Sequence, residues 1–170
     1  HSSPRRQRQM CIRDRANAKR QKLASALGDD DVDAVVLAQP DSMAWLLNIR
    51  GGDVAHTPLP LSFGILHADG RVGLFCDPRK VMAETRAHLG NGVTVEPLAA
   101  LADGLEALGK RGASVGADMS STPAWIVDRL TTSGASLCPM PDPCVAPRAA
   151  KNAVELQGAR DAHQRDAVAV

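Results

Sequence analysis

Apolar and polar positions alternate along this chain in two periods, and the switches between them mark out a series of short elements. Asn17 to Leu27 follows a basic amphipathic helical pattern that Gly28 stops. Asp33 to Ala38 reads as a buried strand, and Pro40 with Ser42 opens a short helix carrying Trp45. Ser62 to Leu66 and Arg71 to Cys76 are strands joined at Ala68-Asp69-Gly70, an Asp-Gly hairpin signal. Asp77 followed by Pro78 predicts a capped helix running to about Leu89, before Gly90. Val93 to Glu96 is a strand, Leu98 to Leu108 a helix and Ser114 to Ala117 another strand. Thr122-Pro123 repeats the cap-and-proline start for a helix through Leu130, and Ala135 to Cys138 is a last short strand. The alternation predicts an α/β fold. The hairpin requires at least one antiparallel pair, so the sheet is expected to be mixed and flanked by helices.

Beyond Cys138 the pattern changes. Pro139 to Pro147 holds four prolines in nine residues and reads as an extended linker, continuing to about Lys151. Asn152 with Glu155 three residues later is a helix-start pattern. Leu156, Ala159, His163, Ala167 and Val170 then form a helical stripe with no glycine, proline or polar cap after it. The expected organisation is a tail over 1–15, an α/β domain over 16–138, a linker over 139–151 and the opening helix of a further domain over 152–170.

A chain of 170 residues is long enough for a sizeable core, and with only two Trp, two Phe and no Tyr that core must be aliphatic. No apolar run approaches the roughly 18 residues needed to span a bilayer, and the basic start is not followed by a leader-like apolar stretch. A cytoplasmic protein with no membrane partner is the expectation. The net charge of +1 hides an asymmetry: residues 1–22 hold eight basic side chains and one acid, leaving 12 basic and 18 acidic residues in the body. The first fifteen residues have no structural period and no interleaved aromatics, so they read as a disordered or non-native tail rather than a nucleic-acid arm. Cys11, Cys76, Cys138 and Cys144 show no Cys-x-x-Cys spacing and are expected to be reduced thiols.

The stretch from Ala44 to His67 carries the most information. An apolar segment with Trp45 leads into the charged turn Arg50-Gly51-Gly52-Asp53, then into the stiff His56-Thr57-Pro58-Leu59-Pro60 connector. Two ionisable residues and two prolines between core elements describe a shaped loop, and such loops often carry function. Arg50 and Asp53 are open to two readings, facing a substrate or pairing with each other across the turn. His56 is likewise either a substrate contact or a donor that holds the loop.

Trp45, Leu46, Asn48, Arg50, Gly51 and Asp53 fit a Trp-Leu-x-Asn-x-Arg-Gly-x-Asp run, with His56, Thr57 and Pro58 continuing it and Gly52 where serine is more usual. Asp142-Pro143-Cys144, Lys151 to Glu155 and Ala162 to Asp166 follow in the matching order. In these features, over roughly Asn17 to Val170, the chain resembles the Xaa-Pro aminopeptidase (aminopeptidase P) family in its multi-domain form. The resemblance implies a creatinase-type N-terminal α/β domain with no catalytic residues of its own, next to a metallopeptidase domain that removes an N-terminal residue preceding proline. Two divalent ions, usually manganese, and their carboxylate and histidine ligands would belong to that downstream domain. It also implies the catalytic domain in cis, a peptide with proline at its second position and a second copy of the chain as partners, with Arg50, Asp53 and His56 facing substrate. The alternative is a non-enzymatic peptide- or histone-binding module of the same architecture.

Within the chain itself no His-Glu-x-x-His, no Gly-x-Gly-x-x-Gly and no complete Gly-x-x-x-x-Gly-Lys-Ser/Thr P-loop occurs, and Ser120-Ser121 lacks the Gly-x-Ser-x-Gly elbow. Asp29-Asp30-Asp31 reads as a solvated turn, His88 as a helix-surface residue and His67 as a strand end beside the hairpin.

Overall fold

The structure is a computed structural model that describes residues 16–151 and 153–168. Six strands form one mixed sheet: β1 (Ala34–Leu37), β2 (Phe63–His67), β3 (Val72–Phe75), β4 (Val93–Glu96), β5 (Ser114–Ala117) and β6 (Ser136–Pro139), in the spatial order β4-β3-β2-β1-β5-β6. Two pairs are antiparallel: β2–β3, joined by the short Ala68-Asp69-Gly70 turn, and β1–β2, joined by the longer helical connection from Ala38 to Ser62. The pairs β3–β4 and β5–β6, each joined by a helical crossover, are parallel, and so is β1–β5, whose strands are distant in the chain. The mixed α/β sheet expected from the sequence is the fold.

β1 lies at the centre and all four of its residues are buried. Its apolar run needs both faces covered, and the side chains divide by parity. Val35 and Leu37 point into a core formed with α1 (Ala16–Asp29), α2 (Pro40–Leu47) and Leu89 of α3 (Ala83–Leu89). Ala34 and Val36 point into the opposite core, built from Leu101, Leu105 and Leu108 of α4 (Leu101–Lys110) and Ile126 and Leu130 of α5 (Ala124–Ser133). Close approach to the sheet needs a missing side chain at Gly64, where a Cβ would lie 2.2 Å from Met43 Sδ.

Four segments depart from their expected form. The helix predicted from Pro78 to Leu89 splits into a 3-10 turn, Pro78–Lys80, and α3 beginning at Ala83. Asp77 does cap the turn, accepting from the Arg79 amide at 3.0 Å, but extended backbone at Val81 and Met82 breaks the run. The helix expected from Leu98 begins as a 3-10 turn over Leu98–Ala100. α5 starts one residue past Pro123, which stands at the cap position and makes no side-chain bond, so Thr122 is not the cap.

The fourth departure is Pro139 to Pro147, which does not run as a free extended linker. Met140 N–H donates to the Ala117 carbonyl, Asp142 and Cys144 are buried, and Val145–Ala149 forms a short helix, α6, against α2. Asp142 organises this packing. Its amide donates to Asp118 Oδ2 at 3.1 Å, and its Oδ1 accepts from the Cys144 amide at 2.8 Å. Burial, with the Asp142 carboxylate beside it, pushes the Cys144 thiol well above its ordinary range.

The last helix, α7 (Ala153–Val168), is largely exposed, with Leu156 46% accessible. The tail over 1–15, the capping role of Asn152 and the stripe position Val170 lie outside the described residues. Among those described, no helix is long and apolar enough to cross a membrane.

A buried cation ties one side of this fold together. Arg20 of α1 is only 6% exposed and has no carboxylate partner among the described residues. Its Nη1 donates to the Gly70 carbonyl in the β2–β3 turn at 3.2 Å and to the Gly92 carbonyl before β4 at 2.7 Å, while Nη2 reaches Asn17 Oδ1. Burial lowers its pKa, but a guanidinium stays charged in proteins. Arg20→Met keeps the apolar stem and removes the donors, taking this bond from the buried Gly70 carbonyl while Gly92 keeps the Val72 amide. We expect a loss of about 1–3 kcal/mol in urea unfolding. A change under about 0.5 kcal/mol would mean that water replaces the guanidinium.

Candidate functional site

The Trp-Leu-x-Asn-x-Arg-Gly-x-Asp run becomes the end of α2 and the loop that follows it. Asn48 takes φ +53°, one of three non-glycine residues at positive φ among those described. There its amide donates to the Trp45 carbonyl and the Ile49 amide to the Ala44 carbonyl, the paired bonds of a Schellman ending. Asn tolerates this left-handed conformation better than most side chains. Its own Oδ1 accepts from Lys19 Nζ at 2.7 Å. The same ammonium donates to the Trp45 carbonyl at 2.9 Å and lies 4.4 Å from the centre of the Trp45 ring. Arg50 Nη1 donates to the Ile49 carbonyl at 2.9 Å, and His88 Nε2 lies 3.0 Å from the Leu47 carbonyl, which makes that nitrogen the donor. Three basic side chains thus gather at the negative end of α2.

Beyond Arg50 the chain folds back on itself as a small hairpin. Gly51 N–H donates to the Pro58 carbonyl, Asp53 N–H to Leu59 and Thr57 N–H to Val54, closing a turn at Ala55-His56. Glycine is required at position 51, where a Cβ would stand 2.6 Å from the Pro60 backbone. His56 sits exposed at the tip with φ +59°, the sign taken by the third residue of a type II turn.

Asp53 holds the base of this hairpin. Its Oδ2 accepts from the Leu61 amide at 2.8 Å and its Oδ1 from Lys80 Nζ at 2.6 Å. The Lys80 bond, then the Leu61 amide, lowers its pKa, and the same contact raises that of Lys80. The partner of Asp53 is therefore Lys80, twenty-seven residues away, and not Arg50 across the turn. Nothing in the local spacing pointed to Lys80, because the contact depends on the 3-10 turn that brings it alongside.

Between this hairpin, β3 and α3 lies a cleft of about 280 Å³ whose wall includes Arg50, Asp53, Leu61, Cys76, Lys80 and Thr85. Of the three expected site residues, Arg50 and Asp53 line it, while His56 stands apart at the hairpin tip. Burial, and secondarily Asp77, raises the pKa of the Cys76 thiol, which suits a wall residue better than a nucleophile. Among the described residues no group of three or more His, Cys, Asp or Glu is placed to hold a metal ion. Asp29, Asp30 and Asp31 are exposed, the first at the end of α1 and the other two in the turn after it.

The fold and loop define a mixed α/β domain, and comparison with known proteins gives its family. The chain matches the Creatinase/Prolidase N-terminal domain over residues 7–155 and belongs to that family. It is 30% identical over 155 residues to Xaa-Pro aminopeptidase 1 of Dictyostelium discoideum, covering 91% of this chain and 24% of that protein. Aminopeptidase P2 of Arabidopsis thaliana is 30% identical over 87% of this chain and 25% of its own length. The chain thus spans about a quarter of these relatives. Among solved structures, X-prolyl aminopeptidase from Caenorhabditis elegans, a cytosolic enzyme with a di-nuclear active site, superposes with a TM-score of 0.78 at 25% identity. That match covers 89% of this chain and 25% of the enzyme. The N-terminal domain of the cytoplasmic peptidase PepQ from Mycobacterium tuberculosis shares the fold, with a TM-score of 0.56 at 18% identity over 77% of this chain and 98% of its own.

The latch at Asp53 has a defined pH window. Its pKa lies below the ordinary 3.8, so its contribution is complete above about pH 4 and is lost as pH falls through the lowered value. The raised Lys80 contributes fully below its ordinary 10.5 and loses its share as pH rises through the raised value. The Leu61 amide resonance should titrate with an inflection below 3.8; an inflection at or above 3.8 would show that the bond is not formed in solution. Independently, Gly51→Val should open the hairpin and increase protease nicking between Gly52 and Pro58 without unfolding the domain.

Proposed function

We propose that this chain is the accessory N-terminal domain of a metal-dependent Xaa-Pro aminopeptidase acting in the cytoplasm. The parent enzyme removes an N-terminal residue that precedes proline. The observation carrying this reading is the likeness to X-prolyl aminopeptidases over nine-tenths of the chain but a quarter of theirs. With no metal-holding group among its described residues, the domain contributes shape rather than chemistry. The two divalent ions, manganese by preference, belong to a downstream catalytic domain, where they would activate water and steady the tetrahedral intermediate.

The hairpin over 51–60 is the part presented to that domain or to a second copy of the chain. Its backbone is fixed by Gly51 and Asp53, so exposed Arg50 and His56 are offered in one arrangement and cost little to order on contact. Within this reading Asp53 acts as a positioning residue through Lys80 and Leu61, while Arg50 and His56 make the contacts with the peptide.

In the full-length enzyme, His56→Ala and Arg50→Ala should lower kcat/KM by up to about tenfold, equivalent to roughly 1.4 kcal/mol of transition-state binding. Stability should move by under about 0.5 kcal/mol. Unchanged kcat/KM together with easier unfolding would make the hairpin a purely structural element. The 170-residue chain alone, loaded with manganese and dialysed, should retain no stoichiometric metal and cleave no Xaa-Pro-Pro peptide. Retained metal with cleavage would refute the accessory role. A full-length protein inactive with its metals in place would favour the peptide-binding alternative.

A further inference from the structure

On the sheet face opposite the hairpin runs a groove that the peptidase reading leaves unused. It has two lobes that share His67, Arg71 and Arg111. The larger, about 300 Å³, lies between β2, β3 and α4, and its lining is mainly apolar, with Ile65, Phe75, Ala107 and Leu108. It is open because glycines face it from both sides. A Cβ on Gly104 would lie 3.1 Å from the Phe75 ring, and one on Gly73 would lie 3.0 Å from the same ring. The smaller lobe, about 200 Å³, is polar and is bounded by Asp33, Ala68 and Asp69 with the three shared residues.

The charges at the junction are not equally committed. Asp69 is fully engaged with Arg71, accepting from its amide at 2.9 Å and from its Nε at 2.7 Å. Asp33 uses Oδ2 to accept from the Ser114 amide at 2.8 Å, and its Oδ1 has no partner among the described residues. The Arg111 guanidinium makes no hydrogen bond or ion pair among the described residues, although it lines the same small lobe as Asp33. His67 is half-buried, and burial, with Arg111 and Arg71 nearby, lowers its pKa against the opposing pull of Asp69. The shift favours the neutral imidazole. An uncommitted cation and an uncommitted carboxylate oxygen share one small polar space beside an apolar slot.

We propose that this groove binds a free α-amino acid with an apolar side chain. Its carboxylate meets Arg111, its ammonium meets Asp33, and its side chain enters the glycine-lined lobe. Either charge alone would meet one partner and one repulsion, so only a ligand carrying both satisfies the junction. The apolar slot then selects an aliphatic body over a polar one. The assignment stands independently of the peptidase reading, since it uses the opposite face of the sheet.

The test is an amide-resonance titration of the 15N-labelled 170-residue chain with L-leucine, 4-methylpentanoate and 3-methylbutylamine. The last two lack the ammonium and the carboxylate respectively. Leucine should give saturable shifts at Gly73, Thr94, Gly104 and Arg111, with each analogue bound at least about tenfold more weakly. Arg111→Gln and Asp33→Asn should each weaken leucine binding by about tenfold, the Asn keeping its acceptor for Ser114. Ala107→Phe, a change at an exposed helix position, should block binding by filling the slot while leaving the circular dichroism spectrum unchanged. Absence of saturable shifts with leucine, equal affinity for either analogue, or unaltered affinity in Arg111→Gln would overturn the proposal.

Discussion

The abrupt ending of α2 is the constraint from which the functional face follows. Its last turn packs against α1 with Ala44, Leu46 and Leu47 buried, and the part-buried carbonyls of Ala44, Trp45 and Leu47 that close the helix are met by the protein. They are met by the Asn48 and Ile49 amides, by Lys19, by His88 and by Arg50. Only a left-handed residue at position 48 allows the backbone bonds, and only with that ending does the chain leave the helix toward Gly51 and the hairpin. A continued helix would carry Arg50 and Asp53 around its own axis instead, and the cleft beneath them would not exist. The residues by which the sequence is assigned to its family thus form one mechanical unit.

This changes what the motif means. Trp45 presents its ring to an ammonium, Asn48 terminates a helix, Gly51 allows two backbones to touch and Asp53 fastens the hairpin to a distant lysine. None of these roles is chemical in the catalytic sense. A motif rich in ionisable residues can be a device for shape, with its charges spent internally, while the side chains offered outward are its less distinctive members.

Much of the fold was legible because it rests on local signals. β1's unbroken apolar run, the Ala68-Asp69-Gly70 turn and the glycine stops each report on a few neighbouring residues. The errors have a common cause, which is tertiary contact. Prolines at 139, 141, 143 and 147 announce an extended chain, yet Asp142 and Cys144 are drawn into the core by partners at Asp118 and on α2. The Pro78 start was real, but the backbone at Val81 and Met82 broke the helix it began. For the candidate site, the position of the loop was readable and its wiring was not. Asp53 and Lys80 are brought together by the path of the chain through β2 and β3, which no spacing in the sequence encodes.

The central place of β1 has a temporal consequence. One of its edges is taken by β2, about thirty residues later in the chain, but the other waits for β5. About eighty residues separate Leu37 from the end of β5, and at roughly 5–20 residues per second a ribosome needs about 4–16 s to supply them. During that interval an entirely apolar strand has a bare row of amides and carbonyls on one side. Newborn chains must pass through a sticky half-sheet before the second layer closes, so the hazard for this domain lies in its synthesis more than in its finished state.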